Sequence, residues 1–288
     1  MKVAVMTDTN SGISVDEAKS MGIFCMPMPV IVDEQNYIED VNLTHEQCFK
    51  FMEEGRDVST SQPSPGELIE MWEEILDSGY DQVIYIPMSS GLSISTKNAI
   101  VFAKDYEGSV FVADNHRISV TQRQAVMDAI YCVNKGMSAP EIKDMLENTA
   151  YDSVIILAVD TLDYLKKTGR VNATAATVGN VLAIKPILKT TGGKFEVYSA
   201  IRGSKKLYSK IIEAIQEELD TRFKGVPHED IIIGTAGSFT EESDATGWCD
   251  AVKAAFSDIE VYYNPLSCSV STHTGPNATG VGISKKVK

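Results

Sequence analysis

Apolar residues recur along this chain in two rhythms. Short β-rich runs at Lys2 to Thr7, Gly22 to Val32, Gln82 to Pro87, Ser109 to Ala113, Ser153 to Val159 and Asp230 to Gly234 read as strands, and the stretches between carry helical spacing. That alternation is the signature of α/β architecture. Helix starts are marked by Ser14-x-x-Glu17, Thr44-x-x-Gln47, Ser64-Pro65-Gly66-Glu67 and Ser138-Ala139-Pro140-Glu141. Each reads as a capping box, in which a hydroxyl accepts from the backbone three residues on and that residue's side chain reaches back. In the third, Pro65 takes the first helical position, where a missing N–H is no loss.

After about residue 150 the character changes. Ile184 to Thr191 and Lys194 to Ile201 are β-rich runs flanking Gly192-Gly193, a hairpin signal that requires an antiparallel pair. The pattern therefore predicts two domains: a parallel-sheet α/β domain over residues 1–152, then a mixed-sheet α+β domain over residues 153–288. Ligands of open parallel sheets sit beyond the carboxyl ends of strands, which draws attention to the turns after Ile86 and Ala113. Gly234-Thr235-Ala236-Gly237-Ser238 reads as a strand-to-helix glycine turn, and it is neither a dinucleotide fingerprint nor a phosphate loop.

Charge narrows the function. With 26 Lys+Arg against 40 Asp+Glu, the net charge is −14, which argues against a nucleic-acid backbone as partner. Five scattered cysteines without a C-x-x-C pair read as reduced thiols of a cytoplasmic protein. The N-terminal apolar run is too short for a signal segment, and no run approaches the ~18 apolar residues of a membrane span, so the chain reads as soluble and unprocessed. Within this acidic chain, Lys166 to Lys206 holds nine basic residues and one acid, Glu196. Such a segment is either a solvated face or a surface for an anionic partner.

Four groups of residues could carry chemistry. Ser59 to Ser64 precedes a capped helix, and Ser89 to Thr96 lies between a strand and a helix; such hydroxyls beside helix N-termini can cap the helix or hold an anion. His273, inside Ser271-Thr272-His273-Thr274-Gly275-Pro276, is the one histidine of four set among Gly, Pro and hydroxyls, where a ring N–H could serve an anion. Asp8 and Asp114 end strands and could hold Mg²⁺ in a phosphotransferase or hydrolase, or simply accept from the turns that follow.

Read together, these motifs resemble the DegV family of bacterial fatty-acid-binding proteins, nearly end to end. Thr7-Asp8-Thr9-Asn10-Ser11, Thr60-Ser61-Gln62-Pro63-Ser64, Ser89-Ser90-Gly91-Leu92-Ser93, Lys167-Thr168-Gly169-Arg170-Val171 and His273-Thr274-Gly275-Pro276 match the family's motifs in order. The resemblance implies two α/β domains with one long-chain fatty acid between them and no cofactor. It implies a carboxylate held by Ser61 or Thr60, by Ser93 and by His273 in the turn with Thr274, and it makes Arg170 and Arg202 the residues facing a partner or phosphate. It also implies a non-catalytic carrier that presents the acid to an ATP-dependent fatty acid kinase for acyl-phosphate formation and phospholipid synthesis, with room for transient membrane contact. Hydroxyls plus one imidazole would hold the carboxylate without a permanent countercharge, and Val178 to Ile184 would line the acyl tunnel or fill plain core. Two departures stand out: Ile94-Ser95-Thr96 replaces the family's Gly-Thr, and Asp114-Asn115-His116-Arg117-Ile118-Ser119 lacks the family's glycines. The rival readings are the Mg²⁺-dependent enzyme using Asp8 and Asp114, and a regulatory module for another small carboxylate.

Overall fold

The computed structural model describes residues 1–172, 184–203 and 206–288. Strands β1 (Val3–Asp8), β2 (Phe24–Met26), β6 (Gln82–Ile86) and β7 (Val110–Val112) form a parallel sheet in the order β2-β1-β6-β7. Every residue of β1 and β6 is buried, because helices cover both faces. On one side α1 (Val15–Met21), α5 (Ser119–Asn134) and α6 (Ala139–Asn148) set Ala18, Ala125, Ala129 and Ile142 on Val3, Val5, Ile84 and Ile86. On the other, α3 (Pro65–Asp77) and α4 (Ser95–Phe102) set Trp72, Ile75 and Ala99 on Ala4, Met6, Val83 and Tyr85. Alternate strand residues thus feed opposite cores.

A second sheet is built from β8 (Ser153–Ala158), β9 (Ile184–Thr190), β10 (Glu196–Arg202), β11 (Ile231–Gly237), β12 (Glu260–Tyr263) and β13 (Thr279–Lys285), in the order β10-β9-β8-β13-β11-β12. It is mixed, with β11 and β12 parallel and the other pairs antiparallel. Helices α8 (Leu207–Asp220) and α9 (Glu242–Ala255) cover one face, packing Ile211, Ile215, Trp248 and Val252 on Val154, Ile156 and Ile283. The opposite face, carrying Leu157 and Ala236, joins Met88, Leu92, Ile118 and Val120 of the N-terminal half in a separate cluster with Leu165 of α7 (Asp163–Thr168). A small antiparallel sheet of β3 (Pro29–Val32), β4 (Gln35–Ile38) and β5 (Val58–Thr60) packs with α2 (His45–Glu53) and with the first residue of α10 (Cys268–Thr274), around Val30, Cys48, Phe49 and Cys268.

Two close approaches hold the sheets in register. Gly192, at the tip of the β9–β10 hairpin, accepts from Ser89 Oγ, and its φ of 112° lies where only glycine is at ease. A Cβ there would stand 1.9 Å from the His116 carbonyl oxygen. Across the junction, the start of α5 lies on β11 and β13, where a Cβ on Gly234 would meet Val120 Cβ at 2.5 Å and one on Gly282 would meet Thr121 Cγ2 at 2.7 Å.

The predicted fold class holds, with local corrections. The run from Gly22 to Val32 is two strands in two sheets, β2 and β3, because the chain leaves the parallel sheet after Met26. The supposed glycine turn at Gly234 is the interior of β11, which pairs on through Gly237 opposite Thr279; its glycines make room for α5. The boxes at Thr44 and Ser64 close fully and Glu141 reaches back to the Ser138 N–H, but Glu17 does not return to Ser14: its carboxylate accepts from Arg123 Nη1 at 2.9 Å.

Candidate functional site

A cavity of about 220 Å³ lies between the two larger sheets, more than ten times the ~15 Å³ that one water needs. Most of its wall is apolar: Met28, Met88, Leu92, Ile118 and Val120 from the N-terminal half, and Ile155, Leu157, Leu165, Phe195, Ala236, Leu266 and Val270 from the C-terminal half. Thr60, Ser61, Ser93, Arg170, His273 and Thr274 also line it, so six of the residues singled out from sequence come together.

Local structure explains each position. Thr60 ends β5 opposite Val30, and Ser61 then donates its backbone N–H to the Pro29 carbonyl at 3.3 Å before Ser64 caps α3. Ser93 closes a tight turn after β6, its N–H donating to the Ser89 carbonyl at 3.1 Å. His273 is the penultimate residue of α10, a helix capped by Ser267 and ended by Gly275. Thr60 Oγ1 and His273 Nε2 are 2.9 Å apart, while His273 Nδ1 is buried without a hydrogen-bond partner among the described residues.

Burial first, and the nearby Arg170 charge second, push the His273 pKa down to about 4, so the ring is neutral at pH 7. Thr60 and neutral His273 then carry one O–H and one N–H between them. Their mutual bond uses one and leaves the other: Nδ1–H if threonine donates, the Thr60 hydroxyl hydrogen if histidine does. Either way the pair has one polar hydrogen for a ligand. Ser93 is differently placed, since its hydroxyl accepts from Ser95 N at 3.2 Å and shares a bond with Ser95 Oγ at 2.9 Å. The first sequence departure therefore engages Ser93, and it leaves Ile94 59% exposed while lining the cavity. At the second departure, His116 and Ser119 both have φ of 54°, so these side chains adopt the left-handed backbone without glycine.

Arg170 corrects the expectation of a head-group site without permanent charge. It lines the same cavity, and its Nε donates to the Leu92 carbonyl at 3.2 Å, tying the end of α7 to the Ser93 turn. Burial lowers its pKa, and it remains a cation. Arg202 does not join it: it is exposed at the end of the edge strand β10. The basic segment is partly neutralised, with Lys167 paired to Asp57 at 2.6 Å, Lys185 to Asp160 and Lys189 to Glu218. Lys205 and residues 178–183 of the proposed tunnel stretch lie outside the described residues, and Ile184 opens β9 away from the cavity lining.

Asp8 and Asp114 serve backbone turns. Asp8 Oδ1 accepts from Asn10 N, Asn10 Nδ2 and Gln122 Nε2 at 3.0 to 3.1 Å, and Oδ2 accepts from Met88 N at 3.0 Å. Burial nonetheless pushes its pKa up to about 6. Asp114 Oδ1 accepts from Ser90 N at 3.2 Å. These bonds fix the loops that carry Met88 and Ser93, and they engage both Asp8 oxygens and Oδ1 of Asp114.

Sequence reasoning missed most of the apolar wall. Leu157 sits in a run that is apolar at every position, so periodicity could not say which residues face the cavity. Asn10 and Gln62, which lie inside quoted motifs but were given no role, and Ser119 and Ser269 add further polar lining. The available signal was glycine within strands, at Gly234, Gly280 and Gly282, which marks a close approach or an open face.

Comparison with known proteins gives a consistent result. A family model described as "Uncharacterised protein, DegV family" matches residues 2–286. A DegV domain-containing protein of Caldanaerobacter subterraneus is 30% identical over 290 residues, covering 99% of each chain. Among solved structures, a DegV family protein from Thermus thermophilus described as binding fatty acid superposes with a TM-score of 0.87 at 26% identity, covering 99% of this chain and 100% of that one. DegV of Bacillus subtilis, described as a fatty acid binding protein, gives 0.85 at 26% identity, again with 99% and 100% covered.

Proposed function

Because this chain belongs to the DegV family, we propose that it binds one long-chain fatty acid in the cavity between its sheets and presents it to a separate ATP-dependent fatty acid kinase. The observation that carries this reading is an apolar cavity whose wall holds the Thr60–His273 pair, with its spare polar hydrogen, beside Arg170. Burying an acyl chain yields on the order of 0.8 kcal/mol per CH₂, so the tail supplies affinity. A buried carboxylate requires donors or it takes up a proton. Thr60 with His273, together with Ser61, Ser93 and the Thr274 turn, supplies the hydroxyl and imidazole donors, and Arg170 supplies charge for the carboxylate or the phosphate that replaces it.

On this reading residues 1–152 and 153–288 act as two domains closing on the acyl chain. The protein is a carrier without catalytic residues of its own, and it works in the cytoplasm in phospholipid synthesis. Its five cysteines are free and buried, in keeping with a reducing compartment. Among the described residues no helix is long and apolar enough to cross a membrane, so any membrane contact would be transient. Exposed Arg202 and Lys206 offer cations to an acidic kinase surface. The test pairs a fluorescent fatty-acid displacement assay with kinase-dependent acyl-phosphate formation. Wild-type protein should bind in the first and support the second. Arg202→Glu with Lys206→Glu should slow the second at low salt and leave the first unchanged. Absence of displaceable fatty-acid binding would contradict the carrier reading; normal coupling in the charge-reversed variant would contradict the docking role.

A further inference from the structure

A second cluster of chemically active side chains lies where the segment after β4 meets the starts of α2 and α10, apart from the cavity lining. We propose that Glu39, His45 and Cys268 form a binding site for one borderline-soft divalent metal ion of the zinc type. One ligand atom from each, a carboxylate oxygen, an imidazole nitrogen and Sγ, lie within 4.8 Å of one another. Tetrahedral zinc with bonds of ~2.0 to 2.3 Å sets its ligands ~3.3 to 3.8 Å apart, so a closure of about 1 Å completes the set. His45, at the start of α2 and only half-buried, has the freedom to make it.

The surroundings suit a metal. Glu39 is 1% exposed, and among the described residues its ion-pair partner is His45, at 3.2 Å. Thr9 Oγ1 donates to its other oxygen at 2.8 Å and the Cys268 N–H donates at 2.5 Å, which fixes the carboxylate's orientation as outer-shell bonds do in metal sites. Cys48, also buried, has its Sγ 4.0 Å from the Cys268 carbonyl and lies outside the converging ligand atoms, so water would take the fourth position. Thiolate, imidazole and carboxylate together select zinc or cobalt over magnesium or calcium. A surface depression bordered by Asp16, Asp40 and His45 gives a cation an acidic way in. Binding is ligand exchange: the Cys268 thiol releases its proton to solvent as the sulfur–metal bond forms.

The consequence would reach the cavity, since Cys268 opens the helix that carries His273. A metal here would tie that helix to α2, independently of which ligand the cavity takes.

The experiment titrates reduced, metal-free protein with Co²⁺ and then measures Zn²⁺ affinity against a chromophoric chelator. One equivalent of cobalt should produce a thiolate-to-cobalt absorption band, lost in Cys268→Ser, and His45→Gln should weaken zinc binding at least about tenfold. His45 is half-buried, so that variant keeps its fold and guards against misreading a misfolded Cys268→Ser. No band at one equivalent, a band that survives Cys268→Ser, or unchanged zinc affinity in His45→Gln would each overturn the site.

Discussion

Thr60 and His273 stand 213 positions apart in the chain and 2.9 Å apart in the fold. The pair joins β5 of the small sheet to α10 at the cavity wall, and its mutual bond leaves one polar hydrogen uncommitted. His273→Ala and Thr60→Val should therefore each weaken fatty-acid binding by about 1 to 3 kcal/mol, the cost of stranding a buried polar partner. Ser93→Ala should cost less, because Ser95 already engages that hydroxyl. Isothermal titration with oleate reads all three. Wild-type affinity in both His273→Ala and Thr60→Val would move the carboxylate elsewhere.

The same histidine sets a pH signature. Its pKa is about 4 in the folded protein and ~6.5 when unfolded. Between these values the unfolded chain takes up a proton that the folded chain refuses. The contribution of His273 is thus complete above pH ~6.5 and lost as the pH falls toward 4. Asp8 acts in the opposite sense: with a folded pKa of about 6, its stabilising proton is bound below ~3.9 and lost as pH rises through 6. Against wild type, His273→Gln should gain in relative melting temperature as pH is lowered from 6.5 to 4. Parallel curves would show that His273 does not resist protonation.

Gly192→Ala should destabilise the protein by more than about 2 kcal/mol, since it combines a disfavoured φ with backbone overlap. The overlap is with the His116 carbonyl, at 1.9 Å from the new Cβ. Urea denaturation measures it, and a loss below ~0.5 kcal/mol, the ordinary surface range, would mean the hairpin tip is not seated on that loop.

Ser119→Gly should do the reverse. Ser119 holds a left-handed φ of 54°, and its buried hydroxyl has no hydrogen-bond partner among the described residues. Relief of strain and of the unsatisfied hydroxyl, each about 1 kcal/mol, outweighs the ~0.5 to 1 kcal/mol entropic cost of glycine. The ligand-free variant should melt at a higher temperature than wild type. A clear fall would show that the hydroxyl is satisfied in solution.

Much of this was legible in the sequence. Ser64-Pro65 and Thr44 wrote their helix starts locally, and Gly192-Gly193 wrote its hairpin, because capping and turn chemistry act over a few residues. The convergence of Thr60, Ser93 and His273 on one cavity was legible only as a resemblance, and that of Arg170 was not foreseen, since contacts across such separations leave no local trace. The split of Gly22 to Val32 between two sheets was hidden, because a strand that changes sheet keeps the same β-rich composition. So was the six-stranded order, in which the last strand, β13, pairs between β8 and β11. The charge of the Lys166 to Lys206 segment misled in part, since its lysines find acids such as Asp57 and Glu218 far away in sequence.

Native mass spectrometry of the protein purified gently from bacteria tests the central claim most directly. The account predicts a mass shift of one long-chain fatty acid per chain, with the organic extract giving the same acid, because an apolar cavity of this kind should not stay empty where lipid is available. Ligand-free protein that also takes up no added palmitate or oleate would contradict it.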